Sequence, residues 1–168
     1  MSHKGCPTSL AVDISRASKT PESRGGRLVY DSNHGNEQYV VNWVRLYPII
    51  AAVINYKGVA LKFQDLGGNE KFHSMWSSYF PECHAVVFII DGSNLARIQE
   101  AQNCICNVVG QDQLDGVPVL ILINKRDLVM ELDFVAQIKE IFNPLVSKMG
   151  VRECKVLGCS ALKGYAEQ

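Results

Sequence analysis

Neither sign of charge is in excess: lysine plus arginine and aspartate plus glutamate stand at 17 each in 168 residues. That balance excludes the basic stripe expected of a nucleic-acid binder, and equally a polybasic membrane patch. Long apolar runs are also missing. The longest, residues 85–90 and 117–123, are strand-sized and far too short to span a bilayer. The first residues carry no apolar stretch of the kind a secretory signal needs, and Ser2 rather than glycine follows Met1, which excludes N-myristoylation. No cysteine belongs to a C-x-x-C pair. Cys104 and Cys106 lie two apart on an expected helix, so they point in different directions and make a poor half of a zinc site. With no export signal, the six cysteines are expected to be reduced and mostly buried.

What is present suffices for one domain with a sizeable core, at 47% hydrophobic content. Residues 1–45 are expected to be an atypical, partly disordered lead-in, with a short strand at Leu10-Ala11-Val12 and a Gly-, Ser- and Asn-rich stretch over 21–36. Residues 39–46 and 48–56 are apolar runs. Asn55-Tyr56-Lys57-Gly58 reads as a hairpin turn that pairs residues 49–54 with a strand starting at Val59. That strand alternates Val59, Leu61 and Phe63 with Ala60, Lys62 and Gln64, and closes on Asp65-Leu66-Gly67-Gly68. Residues 85–91 and 117–124 read as parallel strands buried on both faces. Residues 93–109 have helical spacing through Leu95, Ile98, Ala101, Ile105 and Val108. Residues 133–149 form a second helix with Phe134, Ile138, Ile141 and Leu145 on one face and Gly150 as its stop. Cys154 to Cys159 is a last short strand. Strands alternating with helices mean an α/β fold with a doubly wound, mostly parallel sheet and helices on both faces.

Three strands end in polar signatures: Asp65-Leu66-Gly67-Gly68, then Asn124-Lys125-Arg126-Asp127, then Ser160-Ala161. In open α/β sheets, ligands bind outside the strands' carboxyl ends. Asp-x-Gly-Gly alone reads as readily as a plain turn, and Asn124 to Asp127 alone as a capped turn before a helix. In this chain order they describe a guanine nucleotide site. The Asp127 carboxylate can accept from guanine N1–H and the N2 amino group, a donor pair adenine lacks. Asn124 would tie this loop to the phosphate loop, the Lys125 stem can lie along the base, and the Ala161 N–H can reach guanine O6. Asp65 offers a carboxylate to Mg²⁺, and Gly68 a bare N–H to a γ-phosphate.

With Trp76, Tyr79, Glu82-Cys83-His84-Ala85-Val86 and Gly116-Val117-Pro118-Val119-Leu120, these motifs cover residues 59–163. Over that span the chain resembles the Arf/Arl small GTPases, most closely the Arf-related protein branch. The resemblance implies a P-loop NTPase-like fold that binds GTP and GDP with Mg²⁺, and a switch in vesicle trafficking at Golgi membranes. It also implies an exchange factor, an activating protein and trafficking effectors that use the region from Gly68 to Tyr79.

Several family features are missing. There is no G-x-x-x-x-G-K-[ST], whose glycines, lysine and hydroxyl hold phosphates and Mg²⁺. The nearest substitute is Asp13-Ile14-Ser15-Arg16-Ala17-Ser18-Lys19-Thr20, with Lys19 for phosphate and Thr20 for phosphate and Mg²⁺, or else a chance Lys-Thr in a tail. The only threonines are Thr8 and Thr20, and Ile49 stands where the family's switch I threonine belongs. Asn69 replaces the glutamine that orients the attacking water. The chain stops at Gln168, before the closing helix the fold adds. The expectation is a GTP-binding switch with slow or absent hydrolysis, with Asn69 as the catalytic position and Ser160 and Ala161 at the base. The alternative is a pseudo-GTPase interaction protein, or a truncated product that does not hold nucleotide productively.

Overall fold

The computed structural model describes residues 8–12, 25–31, 38–46, 49–129 and 134–167, with side chains from residue 51 onward except those of Leu95, Phe134, Val135, Leu145, Val146, Lys148 and Glu167. The strands are β1 (Thr8–Val12), β2 (Gly25–Asp31), β3 (Gln38–Leu46), β4 (Ile49–Tyr56), β5 (Val59–Leu66), β6 (Val86–Asp91), β7 (Val119–Asn124), β8 (Cys154–Ser160) and β9 (Tyr165–Glu167). The helices are α1 (His73–Trp76), α2 (Ile98–Val109) and α3 (Phe134–Lys148). All the strands join one sheet, in the order β2-β3-β4-β5-β1-β6-β7-β8-β9.

The hairpin expected before Val59 is present. Tyr56 pairs with Val59 across Lys57 and Gly58, both at positive φ (49° and 78°), the backbone a two-residue hairpin turn demands. β4 is the antiparallel neighbour of β5, as its apolar pattern indicated. β2 lies inside the stretch expected to be irregular. Its Leu28, Val29 and Tyr30 pair with Val41, Val40 and Tyr39, so a partner strand decides the matter against glycine-rich flanks. β9 was also unforeseen.

The α/β class holds, but the sheet is mixed rather than mostly parallel. Among the described residues, only β6–β7 and β7–β8 pair in parallel. The reason is in the connections. β2 to β5 are joined by connections of two to six residues, too short for a crossover, whereas α2 and α3 provide crossovers between β6, β7 and β8. β1 runs antiparallel to both its neighbours, β5 and β6. β5 and β6 therefore point the same way, and the carboxyl ends of β5, β6, β7 and β8 share one edge.

The expectation of strands buried on both faces is corrected. Val86, Phe88 and Ile90 of β6 and Ile121 and Ile123 of β7 have no exposure, while Val87, Ile89, Leu120 and Leu122 on the other face are half-buried. The fully buried face packs against Ile98, Ala101 and Ile105 of α2 and Ile138 and Phe142 of α3 in one cluster. Both long described helices thus cover the same face, where helices on both faces were expected. On α3, Phe142 takes the core position and Ile141 is exposed. Gly150, at φ 72°, follows the helix end as expected.

Arg152 ties the helix ends together. Its side chain is 5% exposed. Nε donates to Met149 O at 2.7 Å and one terminal nitrogen to Val109 O at 3.3 Å. Cations suit helix carboxyl ends, where carbonyls lack intrahelical partners.

The two faces of β6 make a direct comparison. Phe88→Ala empties a fully buried site and is expected to cost about 3–5 kcal/mol. Ile89→Ala, on the half-buried face, should cost clearly less. Urea unfolding of both variants checks the face assignment, and equal losses would contradict it.

Candidate functional site

The shared carboxyl edge brings together Asp65 near the end of β5 with Gly68 and Asn69 after it, Asp91 at the end of β6, Asn124 at the end of β7 with Lys125 and Asp127 after it, and Ser160 at the end of β8 with Ala161 after it. Parallel register sets Asp91 directly beside Asn124. The Gly92 N–H then donates to Asn124 O at 2.9 Å.

The β7 and β8 loops are bonded to each other. Asn124 Oδ1 accepts the Ala161 N–H at 3.0 Å and lies 3.8 Å from Cys159 Sγ, which donates to it. Asp127 Oδ1 accepts from the Ser160 hydroxyl at 2.5 Å. Ser160 is 1% exposed, and its oxygen also accepts the Lys163 N–H at 3.1 Å. So Ser160 is a buried hinge pin for both loops rather than a surface contact. Burial pushes the Cys159 thiol up, which keeps it protonated and able to donate.

Lys125 sits at φ 65°, ψ 31°, left-handed backbone for a residue with a β-carbon. Its Nζ donates to Asp91 Oδ2 at 2.6 Å. The other oxygen of Asp91 accepts from the Ser93 N–H at 3.1 Å and the Ser93 hydroxyl at 2.6 Å. Partial burial pushes the Asp91 carboxyl up, but the bonds from Lys125 and Ser93 outweigh it and hold it below its ordinary value. Asp91 was given no role from sequence, although a carboxylate closing a strand is the signal that singled out Asp65.

On the β5 side the double glycine is anchored by α1. Trp76 Nε1 donates to Gly67 O at 3.3 Å, and His73 Nε2 lies 3.4 Å from Gly68 O, where its proton-bearing tautomer donates. The two rings pack at a tilt of 38° with centroids 4.2 Å apart. Trp76 is 2% exposed, so it is a core residue, not a displayed aromatic for partners. Tyr79 is half-buried against the same core. Asn69 Oδ1 accepts the Lys71 N–H at 3.1 Å, capping the turn Glu70–Phe72. Its side chain is occupied as a cap.

Lys19 and Thr20 lie outside the described residues. The strand expected to lead into them runs against expectation: Val12 pairs with Val86 at the start of β6, while Thr8 pairs with Ile90 near its end. A phosphate loop needs that strand's carboxyl end beside the base loops, and here it is at the opposite edge. Among the described residues no group of three or more His, Cys, Asp or Glu could hold a metal ion, so a metal at Asp65 would need phosphate and water as its other ligands. The described cysteines are less buried than expected, with Cys83, Cys104, Cys154 and Cys159 half-buried and Cys106 exposed, and Cys6 lies outside the described residues. Among the described residues no helix is long and apolar enough to cross a membrane.

The model of the ADP-ribosylation factor family matches residues 43–167. ADP-ribosylation factor-like protein 3 of Saccharomyces cerevisiae is 41% identical over 104 residues, which are 62% of this chain and 52% of that protein. ADP-ribosylation factor-related protein 1 of Homo sapiens is 42% identical over 104 residues, which are 62% of this chain and 51% of that protein. The chain thus spans about half the length of the curated relatives it matches. Among solved structures, the Arl6 BBS3 small GTPase from Trypanosoma brucei, with bound nucleotide analogue GppNp, is similar at TM-score 0.61 and 27% identity, covering 69% of this chain and 70% of that one.

Asp65 provides a test of the edge. Asp65 is exposed by surface area, yet partial burial of its carboxyl pushes it above the ordinary value. An acid whose folded pKa is raised costs stability once ionised, and costs none well below its unfolded pKa. Asp65→Asn is therefore expected to raise the Tm of the ligand-free protein at about pH 7, with the gap closing by about pH 3. A gap that does not narrow on acidification would refute the desolvated site.

Proposed function

Because the chain belongs to the ADP-ribosylation factor family, we propose that its strand-end loops bind a guanine nucleotide and that it serves as a small-GTPase switch in vesicle trafficking at Golgi membranes, with slow or absent GTP hydrolysis. The observation that carries this reading is the pair of bonds joining the two base loops, Asn124 to Ala161 and Asp127 to Ser160. They hold the loops in one arrangement before any ligand arrives, so binding would not have to organise them. A carboxylate has about four acceptor sites, so the Ser160 hydroxyl leaves Asp127 free to receive guanine N1–H and the N2 amino group. Lys125 would cover the base. Ala161 would have to share its N–H, now on Asn124, to reach guanine O6.

Asp65 and Gly68 would face the γ-phosphate. Asp65 suits Mg²⁺ as the single carboxylate of a shell completed by phosphate oxygens and water, and the ion there would neutralise phosphate charge. Lys19 and Thr20 are assigned to the phosphates on sequence alone. Asn69, shorter than glutamine and used as a cap, supports slow hydrolysis. An exchange factor, an activating protein and effectors would meet the surface from Gly68 to Tyr79, where Met75 is exposed.

A second reading is a pseudo-GTPase interaction protein. The direction of β1 favours it, since that strand does not lead to the base-loop edge.

Titration with mant-GDP, with and without Mg²⁺, separates the two. Saturable binding supports the switch, and its absence leaves the interaction protein. In the binding case, Asp127→Asn is expected to weaken guanine nucleotides about 10- to 100-fold and to shift preference toward xanthine nucleotides. Unchanged selectivity would show that Asp127 does not read the base. Imaging of the tagged full chain tests the Golgi assignment, and diffuse signal would count against it.

A further inference from the structure

We propose that Asp91 is a positioning residue of the base site, which holds the Lys125 side chain over the place where a guanine ring would lie. The inference rests on the nucleotide reading above and adds to it a residue outside the strand-end motifs.

The Asp91 carboxylate divides its work. One oxygen fastens Ser93 through both the backbone N–H and the hydroxyl, and the other holds Lys125 Nζ at 2.6 Å. The carboxylate is thereby fixed from one side before it meets the lysine. Its own backbone lies beside Asn124 in the parallel register, and Gly92 bonds Asn124 O, so Asp91 moves with the base loop and not independently of it.

Stability does not account for the pair. Lys125 is 49% exposed and Asp91 28% exposed, and ion pairs at that exposure contribute about 0–1 kcal/mol. Lys125 also occupies left-handed backbone at φ 65°, which costs a residue with a β-carbon roughly 1–2 kcal/mol. For the fold alone, glycine would be easier at this position. A lysine kept there needs a use for its side chain. A lysine stem unrestrained in water samples many rotamers and loses that freedom when a ligand pins it. Asp91 removes most of that freedom in advance, so the nucleotide meets a stem already placed.

The experiment measures mant-GDP dissociation from the full chain in four proteins: wild type, Asp91→Asn, Lys125→Met and the double variant. Ser93→Ala serves as a fifth. Asp91→Asn is expected to speed dissociation roughly three- to tenfold in the wild-type background and less than about twofold in the Lys125→Met background. Asp91→Glu should restore part of the loss. Ser93→Ala, which removes one bond to the turn and leaves the lysine pair, should stay within about twofold of wild type. Thermal melts run alongside, because a purely structural role would lower Tm without a background-dependent change in dissociation. Equal acceleration in both backgrounds, or acceleration by Ser93→Ala as large as by Asp91→Asn, overturns the inference while leaving the nucleotide reading standing. A wild-type chain that binds no mant-GDP overturns both.

Discussion

The parallel register of β6, β7 and β8 is the constraint on which the rest depends. Alternate residues of β6 and β7 are fully excluded from water, and a slip of one residue would turn Val86, Phe88 and Ile90 away from α2 and α3. That penalty fixes where each strand stops. Asp91 and Asn124 end level with each other because the register allows nothing else. Ser160 finishes β8 close enough to reach Asp127. The loops after β7 and β8 owe their geometry to apolar packing well below them, and their few hydrogen bonds refine a placement the core has already made.

The two halves of the edge are built differently. On the β7–β8 side, side chains of one loop bond the backbone or side chains of the next, so Asn124, Asp127, Ser160 and Ala161 act as one unit. On the double-glycine side, the anchors come from the following helix: Trp76 and His73 hold the carbonyls of Gly67 and Gly68. Because Trp76 belongs to the same buried cluster as β6 and β7, this second anchor ties the double glycine to the core as well.

Much of this was legible in the residues. Continuous apolar runs closed by Asp91 and by Asn124 identified β6 and β7, and Asn55 to Gly58 announced the β4–β5 hairpin, because those patterns depend on local chemistry. Asn124, Asp127, Ser160 and Ala161 were recognisable from their order. The bond from Ala161 to Asn124 was not, since a loop's partner depends on strand register. β2 escaped notice because its partner is a strand and its flanks are polar. The direction of β1 was not legible: Leu10-Ala11-Val12 has a strand's composition, and composition carries no sign. The half-buried second face of β6 and β7 was overestimated because a run of valine, isoleucine and leucine looks alike whether one face is covered or both.

The antiparallel β1 also governs the order in which the sheet can be assembled. β4 and β5 meet across Lys57 and Gly58, a loop closure with almost no chain to gather, so that hairpin is kinetically cheap. β1 has no such neighbour. Its residue Leu10 must find Leu66 on one side and Phe88 on the other, both distant along the chain. Contacts of that range form slowly, and here both must exist before the strand has its full hydrogen bonding. The centre of the sheet is therefore expected to close late, with β1 joining after strands that follow it in the chain.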